Sequence, residues 1–274
     1  MDNIQHIYNK LIAGLRKYFN GNKATKATLG LSGGLDSAVV LSLATEALGK
    51  DNVWVLLLPS QYSTSHSVND AVRLAENLGI QYDLIKIEPI YNMFIESLSS
   101  IFAGTRPNVT EENLQARIRS VLLMALSNKF GHFLLNTSNK SELAMGYGTL
   151  YGDLSGALSV LGDVYKTQVY DLAYYINRHG EIIPEHIITK APSAELSPGQ
   201  KDTDSLPPYP ELDPILMRFI EEKLTVEEII AAGFDRQLVE RINGMIARNS
   251  FKVFQIPPII KITGNLLTPE WKCI

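Results

Sequence analysis

Residues 26–38 read Lys26-Ala27-Thr28-Leu29-Gly30-Leu31-Ser32-Gly33-Gly34-Leu35-Asp36-Ser37-Ala38, and an apolar run through Val39, Val40, Leu41 and Leu43 follows. The alternation at Thr28, Leu29 and Leu31 predicts a strand, the small residues a tight loop, and the run beyond them a helix. Such a junction is an anion site. Gly33 and Gly34 let the backbone approach a ligand and accept positive φ, Ser32 and Ser37 offer hydroxyls, and the helix start presents unpaired N–H groups. The expected guest is a phosphate. No Gly-Lys-Ser/Thr follows as in a Walker A sequence, and the loop is not Gly-x-Gly-x-x-Gly, so a kinase, GTPase or dinucleotide oxidoreductase loses its main support. A carboxylate among phosphate-binding amides repels the ligand unless a hard cation such as Mg²⁺ lies between them, so Asp36 points to a metal-bound nucleotide. The plainer alternative makes Asp36 a dipole partner in the first turn of an ordinary strand-to-helix junction.

Outward from the loop, Val53–Leu58 is apolar on both faces, as in a strand buried within a parallel sheet. Ser67–Gly79 has helical spacing and Gln81–Ile87 reads as a third strand. Strand, helix, strand, helix, strand implies right-handed crossovers and a doubly wound, mostly parallel α/β sheet, with ligands beyond the carboxyl ends of its strands. His132–Asn136 adds an inner strand ending beside the first loop. Residues 2–20 carry Ile4, Ile7, Leu11, Leu15 and Phe19 on one helical stripe that covers the sheet. Residues 90–101 and 110–129 predict two more helices. The second is capped by Thr110 and its stripe is Leu114, Ile118, Val121, Leu122, Ala125 and Leu126. Arg117 borders that stripe, part-buried where a guanidinium wants an anion, although a surface arginine fits the periodicity equally well. Lys166 opens a helix over 166–180 against the usual dipole preference, so negative charge, such as a phosphate, is expected nearby. Residues 155–165 read as a connection, and 190–210, rich in Pro, Ser, Asp and Gly, as a linker or a lid. Short helices over 214–223, 226–232 and 235–248 make a small C-terminal cap.

Asn136–Asp153, NTSNKSELAMGYGTLYGD, is the second concentration of chemistry. Glu142 follows Asn139 by three residues and so could be a capping-box partner. It could equally be a second carboxylate facing Asp36 across a nucleotide, because Mg²⁺ on a triphosphate takes only one or two carboxylates. Gly146, Gly148 and Gly152 with Tyr147 and Tyr151 make a flexible aromatic turn or a plain loop.

The 274 residues suffice for one large α/β domain with a full core, and a net charge of −4 leaves no basic field for tRNA or DNA. No apolar run spans a membrane, and Asp2, His6 and Lys10 stand where a secretory signal would be apolar, so a cytoplasmic location is expected. The one cysteine, Cys273, lies at a terminus expected to fray, which excludes a disulfide framework or a Cys₄ metal site.

The string Ser-Gly-Gly-Leu-Asp-Ser resembles the pyrophosphate loop of the N-type ATP pyrophosphatases. From about residue 25 to about residue 260 the chain is similar to the NAD synthetase family. The Asn-Thr-Ser-Asn-Lys-Ser-Glu-Leu run, Gly-Tyr-Gly-Thr, Tyr-Gly-Asp, Gly162-Asp163-Val164-Tyr165-Lys166 and Lys190-Ala191-Pro192-Ser193-Ala194-Glu195-Leu196 match its motifs in order. This resemblance implies a Rossmann-like, adenine nucleotide alpha hydrolase-like fold in a single domain over 1–274. Its parts are an N-terminal helix over 1–22, a nucleotide-binding core over 23–195, a lid over 196–210, and a helical cap and tail over 211–274. It also implies roles. Gly30, Leu31, Ser32, Gly33, Gly34, Leu35, Asp36 and Ser37 cradle ATP phosphates, Asp36 and Glu142 hold Mg²⁺, and Thr137, Lys166 and Ser193 touch ATP. Arg117 touches nicotinic acid adenine dinucleotide (deamido-NAD), and Asp153 is a candidate at its nicotinate end. Asp36, Glu142, Lys166 and Asp153 form the implied catalytic set. Some family members carry a lysine at Leu150 and an aspartate near Ala157, so this chain departs from them there.

The implied reaction is amidation of deamido-NAD to NAD by ammonia through an NAD-adenylate, releasing AMP and pyrophosphate, in a homodimer. Gln200–Tyr209 looks like the synthetase half of glutamine-dependent enzymes. No glutaminase half is expected in this sequence, so free ammonia, supplied in the cell by a separate glutaminase, is the expected donor. Another amide-forming or thiolating ATP pyrophosphatase is the alternative enzyme, and a non-catalytic ATP-binding module the alternative of another class.

Overall fold

The computed structural model describes residues 2–265 together with 267 and 273. Five strands, β1 (Ala27–Gly30), β2 (Val53–Leu57), β3 (Gln81–Leu84), β4 (Phe133–Asn136) and β5 (Leu158–Ser159), form one sheet in the order β3-β2-β1-β4-β5. Every pairing is parallel, with Leu29 beside Val55, Val55 beside Tyr82, and Thr28 beside Leu134. The helices are α1 (Asp2–Gly21), α2 (Leu35–Leu48), α3 (Ser65–Leu78), α4 (Glu88–Leu98), α5 (Val109–Phe130), α6 (Lys140–Met145), α7 (Lys166–Ile176), α8 (Glu185–Thr189), α9 (Tyr209–Ile220), α10 (Val226–Ala231) and α11 (Arg236–Asn249).

The doubly apolar β2 divides two cores. Val53, Val55 and Leu57 join Leu11, Leu15, Val39, Leu43 and Leu172 from α1, α2 and α7, whereas Leu56 and Leu58 join Ile87, Tyr91, Ile118 and Leu126 on the α4 and α5 side. Each such buried side chain contributes about 1.5–3 kcal/mol relative to exposure. The strand order reverses between β1 and β4, which opens a crevice beyond their carboxyl ends. The helices α9 to α11 enclose a further cluster with Leu212, Leu216, Ile229, Val239 and Ile242, and it continues into Met145 and Tyr165.

Several local expectations change. Asn108, not Thr110, caps α5 in a capping box with Glu111. Val121 is 67% exposed, so the inner face of α5 is turned away from it. Residues 155–165 contain β5, two residues long, and the segment after α7 contains α8. The α9 helix starts at Tyr209, five residues before the expected Pro214, which is accommodated inside it. The main chain of Cys273 bridges to Ile259, which itself bridges to Ser159, so the tail is held at that point instead of fraying. The rest of the expected tail, 266, 268–272 and 274, lies outside the described residues, as does Met1.

Candidate active site

The N–H of Leu31 donates to Leu56 O at 2.9 Å, keeping the chain on β2 until the loop begins. Ser32 Oγ accepts from the Gly34 N–H at 3.1 Å, and Ser37 Oγ donates to Gly34 O at 3.0 Å. The two serine hydroxyls thus shape the loop. Gly33 has φ +76°, and a Cβ there would lie 2.1 Å from Ser67 O, so no other residue fits. Gly34 caps α2 without a side-chain bond, which leaves first-turn N–H groups free for an anion. Leu31 and Leu35 are buried, so only their main chain can meet a ligand.

Asp36, in the first turn of α2, lies 2.5 Å from Lys166 Nζ, and Glu142 Oε1 lies 3.4 Å from the same nitrogen. The negative charge anticipated beside Lys166 therefore comes from carboxylates of the chain itself. Asn139 Nδ2 donates to Asp36 Oδ1 at 2.9 Å, joining the ends of β1 and β4 across the crevice. The Lys166 N–H donates to Ser141 Oγ at 2.9 Å, and Asp213 accepts from both the Ser141 hydroxyl and the Thr167 N–H. This chain of bonds anchors the start of α7 and aims the lysine.

Burial opposes the charge of Lys166, but Asp36 and Glu142 overcome it and hold its pKa above the ordinary lysine value. Burial and the Asp36 carboxylate push the Glu142 carboxyl up, and Lys166 offsets them only in part. Glu142 is a capping-box partner and also stands beside Lys166. Its N–H donates to Asn139 Oδ1 at 3.0 Å and its Oε2 accepts from the Asn139 N–H at 3.4 Å, a capping box, while Oε1 faces Lys166. Each of the four carboxylate oxygens has one donor, from Lys166 or Asn139, and a second lone pair beyond it, so Asp36 and Glu142 are the residues that would hold a hard cation such as Mg²⁺, which completes its shell with phosphate and water.

Residues 196–210 fold over this group. Asp202 is 5% exposed and accepts from Tyr209 at 2.8 Å and from Tyr147 at 3.3 Å, and the Tyr209 ring centre lies 5.2 Å from Lys166 Nζ. Burial pushes the Asp202 carboxyl up. Lys252 clasps the glycine turn, donating to Gly146 O at 2.7 Å and Gly148 O at 2.9 Å. Beyond the first turn of α3 lies a cavity of about 370 Å³, whose lining includes Pro59, Ser60, Ser63, Ser65 and Lys86.

Not every sequence candidate joins the group. Thr137 is half-buried just after β4. Ser193 is exposed, and its hydroxyl donates to Gln200 O at 2.5 Å. Asp153 accepts from the Thr149 N–H at 2.8 Å and so braces its own turn. Arg117, expected to be part-buried, is exposed, and its Nε donates to Leu150 O at 3.2 Å. The enclosed guanidinium is that of Arg119, which donates to Leu58 O at 2.9 Å and whose pKa burial lowers to about 10. Sequence reasoning missed Arg119, Asp202, Tyr209 and Asp213, and it read Asn139 only as a cap. Tyr147 and Asp202 stood inside quoted motifs, but nothing local set them apart.

A parallel sheet with a glycine-serine loop after its first strand and paired carboxylates across the switch point defines an adenine nucleotide alpha hydrolase-like fold. The NAD synthase family model matches residues 7–256, and the chain belongs to that family. It is 49% identical over 270 residues to the glutamine-dependent NAD(+) synthetase of Thermotoga maritima, covering 98% of this chain and 47% of the relative. The chain therefore spans about half the length of the curated relatives it matches. The solved NH3-dependent NAD synthetase of Campylobacter jejuni superposes with a TM-score of 0.75 at 32% identity, covering 94% of this chain and 99% of that one. The NMN synthetase of Francisella tularensis superposes with a TM-score of 0.78 at 31% identity, covering 91% and 95%.

Proposed function

We propose that the chain makes NAD from deamido-NAD, ATP and ammonia. The observation that carries this reading is the Asp36–Lys166–Glu142 group at the carboxyl edge of the sheet, beside a phosphate loop. A nicotinate carboxylate acylates poorly. Its oxygen attacks the α-phosphorus of ATP, the bond to the β-phosphate oxygen breaks, and pyrophosphate leaves. Ammonia then attacks the acyl carbon of the adenylate, AMP departs, and the nitrogen loses a proton. Bound Mg²⁺, held by Asp36 and Glu142, supplies charge neutralisation on the phosphates. Lys166, an ammonium throughout the physiological range, carries positive charge to the leaving group, and the start of α2 binds its oxygens through N–H groups. Asp202 and the tyrosines exclude water from the adenylate. Thr137 and Ser193 flank the nucleotide, the cavity beyond α3 receives its adenosine end, and Arg117 and Asp153 are assigned to the dinucleotide side.

Ammonia is assigned as the species this site takes, because hydrolysing glutamine takes a cysteine nucleophile with a neighbouring base and the described side chains gathered around Lys166 include no cysteine. The Campylobacter relative, covered almost end to end, is named NH3-dependent. A glutaminase would supply the ammonia in the cell. A homodimer and a cytoplasmic location belong to the same reading. Met93, Phe94, Val121 and Met124 expose an apolar face on α4 and α5 that suits a second copy, and light scattering tests it. Among the described residues no helix is long and apolar enough to cross a membrane.

The test is mass spectrometry of products from ATP, Mg²⁺, deamido-NAD and labelled ammonium. AMP and pyrophosphate are expected in step with labelled NAD, whereas ADP and phosphate would sink the adenylation. Amide-labelled glutamine without ammonium is expected to leave NAD unlabelled. The likeness to the Francisella enzyme favours one second reading, a nicotinate mononucleotide as substrate, and direct competition of the two nucleotides separates them.

A further inference from the structure

We propose that Glu195 is a positioning residue that latches the base of the lid to the phosphate loop through Ser67, so that both respond together to ATP. The inference rests on the reading that ATP phosphates occupy that loop. Ser67, in the first turn of α3, is 2% exposed, and its carbonyl oxygen fills the space a Gly33 Cβ would need. Any shift of Ser67 is therefore felt directly by the loop. Its hydroxyl donates to Glu195 Oε1 at 2.5 Å and accepts from Lys190 Nζ at 2.9 Å, while Glu195 Oε2 accepts from the Thr64 N–H at 3.2 Å. One carboxylate thus takes up donors at the start of α3, and Ser67 grips both ends of residues 190–195. Ser193, assigned to the nucleotide, lies between the two grips.

The backbone supplies a second, independent sign. Glu195 has φ +49°, in the left-handed region that residues with a Cβ avoid and glycine occupies freely. A glycine would relieve the strain, so an acidic residue there is explained by what its carboxylate holds. The next residue is tied elsewhere, since Gln115 Nε2 of α5 donates to Leu196 O at 2.8 Å. Losing Glu195 therefore releases the α3 side of the lid alone.

The test compares wild type with E195G, S67A and the double variant. Glycine keeps the backbone favourable, so E195G removes the carboxylate without adding strain, and S67A, which keeps Glu195, controls for the added glycine freedom and covers the case in which E195G fails to fold. Amide exchange is followed over residues 28–40 and 190–206 without ATP. Both segments are expected to exchange about tenfold faster in each single variant, with no further gain in the double, because a hydrogen bond to a charged group is being removed. KM for ATP is expected to rise about tenfold with kcat within about twofold. Faster exchange confined to 190–206, an E195G indistinguishable from wild type, or an equal fall in kcat and kcat/KM would overturn the latch. If wild type neither binds nor cleaves ATP, the functional reading fails while the exchange data still decide the latch.

Discussion

Two buried lysines open successive helices, Lys140 at the start of α6 and Lys166 at the start of α7, and each lies between two carboxylates. Lys140 meets Asp163 at 2.7 Å and Glu221 at 2.5 Å, and it also donates to Thr263 Oγ1 and Asn265 O, both at 3.0 Å. The second Asp163 oxygen is filled by the N–H groups of Ile262 and Thr263. The Lys140 and Asp163 side chains are 0% and 1% exposed. Around Lys166 the Asp36 and Glu142 side chains keep 18% and 15% exposure, and Glu221 at the rim of the Lys140 cluster keeps 23%. The same parts therefore make a rivet in one place and a site in the other. What separates them is placement and load: Asp163 takes Lys140, Thr263 and two main-chain N–H groups away from the loop, whereas Asp36 and Glu142 take only Lys166 and Asn139 at the carboxyl edge of the sheet.

The largest effect is expected at the rivet. Lys140→Met leaves Asp163 buried and uncompensated, a loss of about 3–5 kcal/mol that urea denaturation would read as a shifted midpoint. Any folded fraction should keep its turnover within a few-fold. A stable Lys140→Met chain with abolished turnover would break the comparison from one side.

Next comes the open group. Asp36→Asn is expected to lower kcat about a hundredfold or more, because a neutral amide holds a cation poorly, and to shift the denaturation midpoint less than Lys140→Met does, because Glu142 still pairs the buried Lys166. Unfolding in place of inactivity would make Asp36 another rivet.

Both clusters also mark what the sequence could carry. The loop over 30–37 and the doubly apolar β2 were legible because short-range patterns determine them. The partners were not. Asn139 and Asp36 stand 103 positions apart, and only the strand order joins them. Lys166 at a helix start announced negative charge, and a phosphate was the source expected where the fold supplies Asp36 and Glu142. The α5 helix misled because its inner face buries polar Gln115 and Ser120 while Val121 points out, so hydrophobic spacing placed Arg117 at the buried border where the fold encloses Arg119. The β5 strand is two residues long and forms because the edge of β4 offers it partners, which leaves no run to detect.

The smallest and most discriminating effect concerns Glu142, which caps α6 with one oxygen and faces Lys166 with the other. Glutamine also serves in a capping box, so Glu142→Gln should keep the cap and lose the rate, whereas Glu142→Ala should lose both, with about 1 kcal/mol of added instability. The charge leaves a separate mark in pH. Burial and Asp36 raise the Glu142 carboxyl above its unfolded value of about 4.5, so the folded chain holds that proton to higher pH than the unfolded chain does. The resulting stability is fully present below the unfolded value and is lost as pH rises through the raised folded value. Measured without Mg²⁺ from about pH 5 to about pH 8, the melting temperature of wild type should therefore fall relative to that of Glu142→Gln, and added Mg²⁺ should restore wild type more than the variant. A difference that stays flat with pH would mean that Glu142 is ionised throughout, its oxygens as fully committed as those of Asp163, and the contrast between rivet and site would then rest on Asp36 alone.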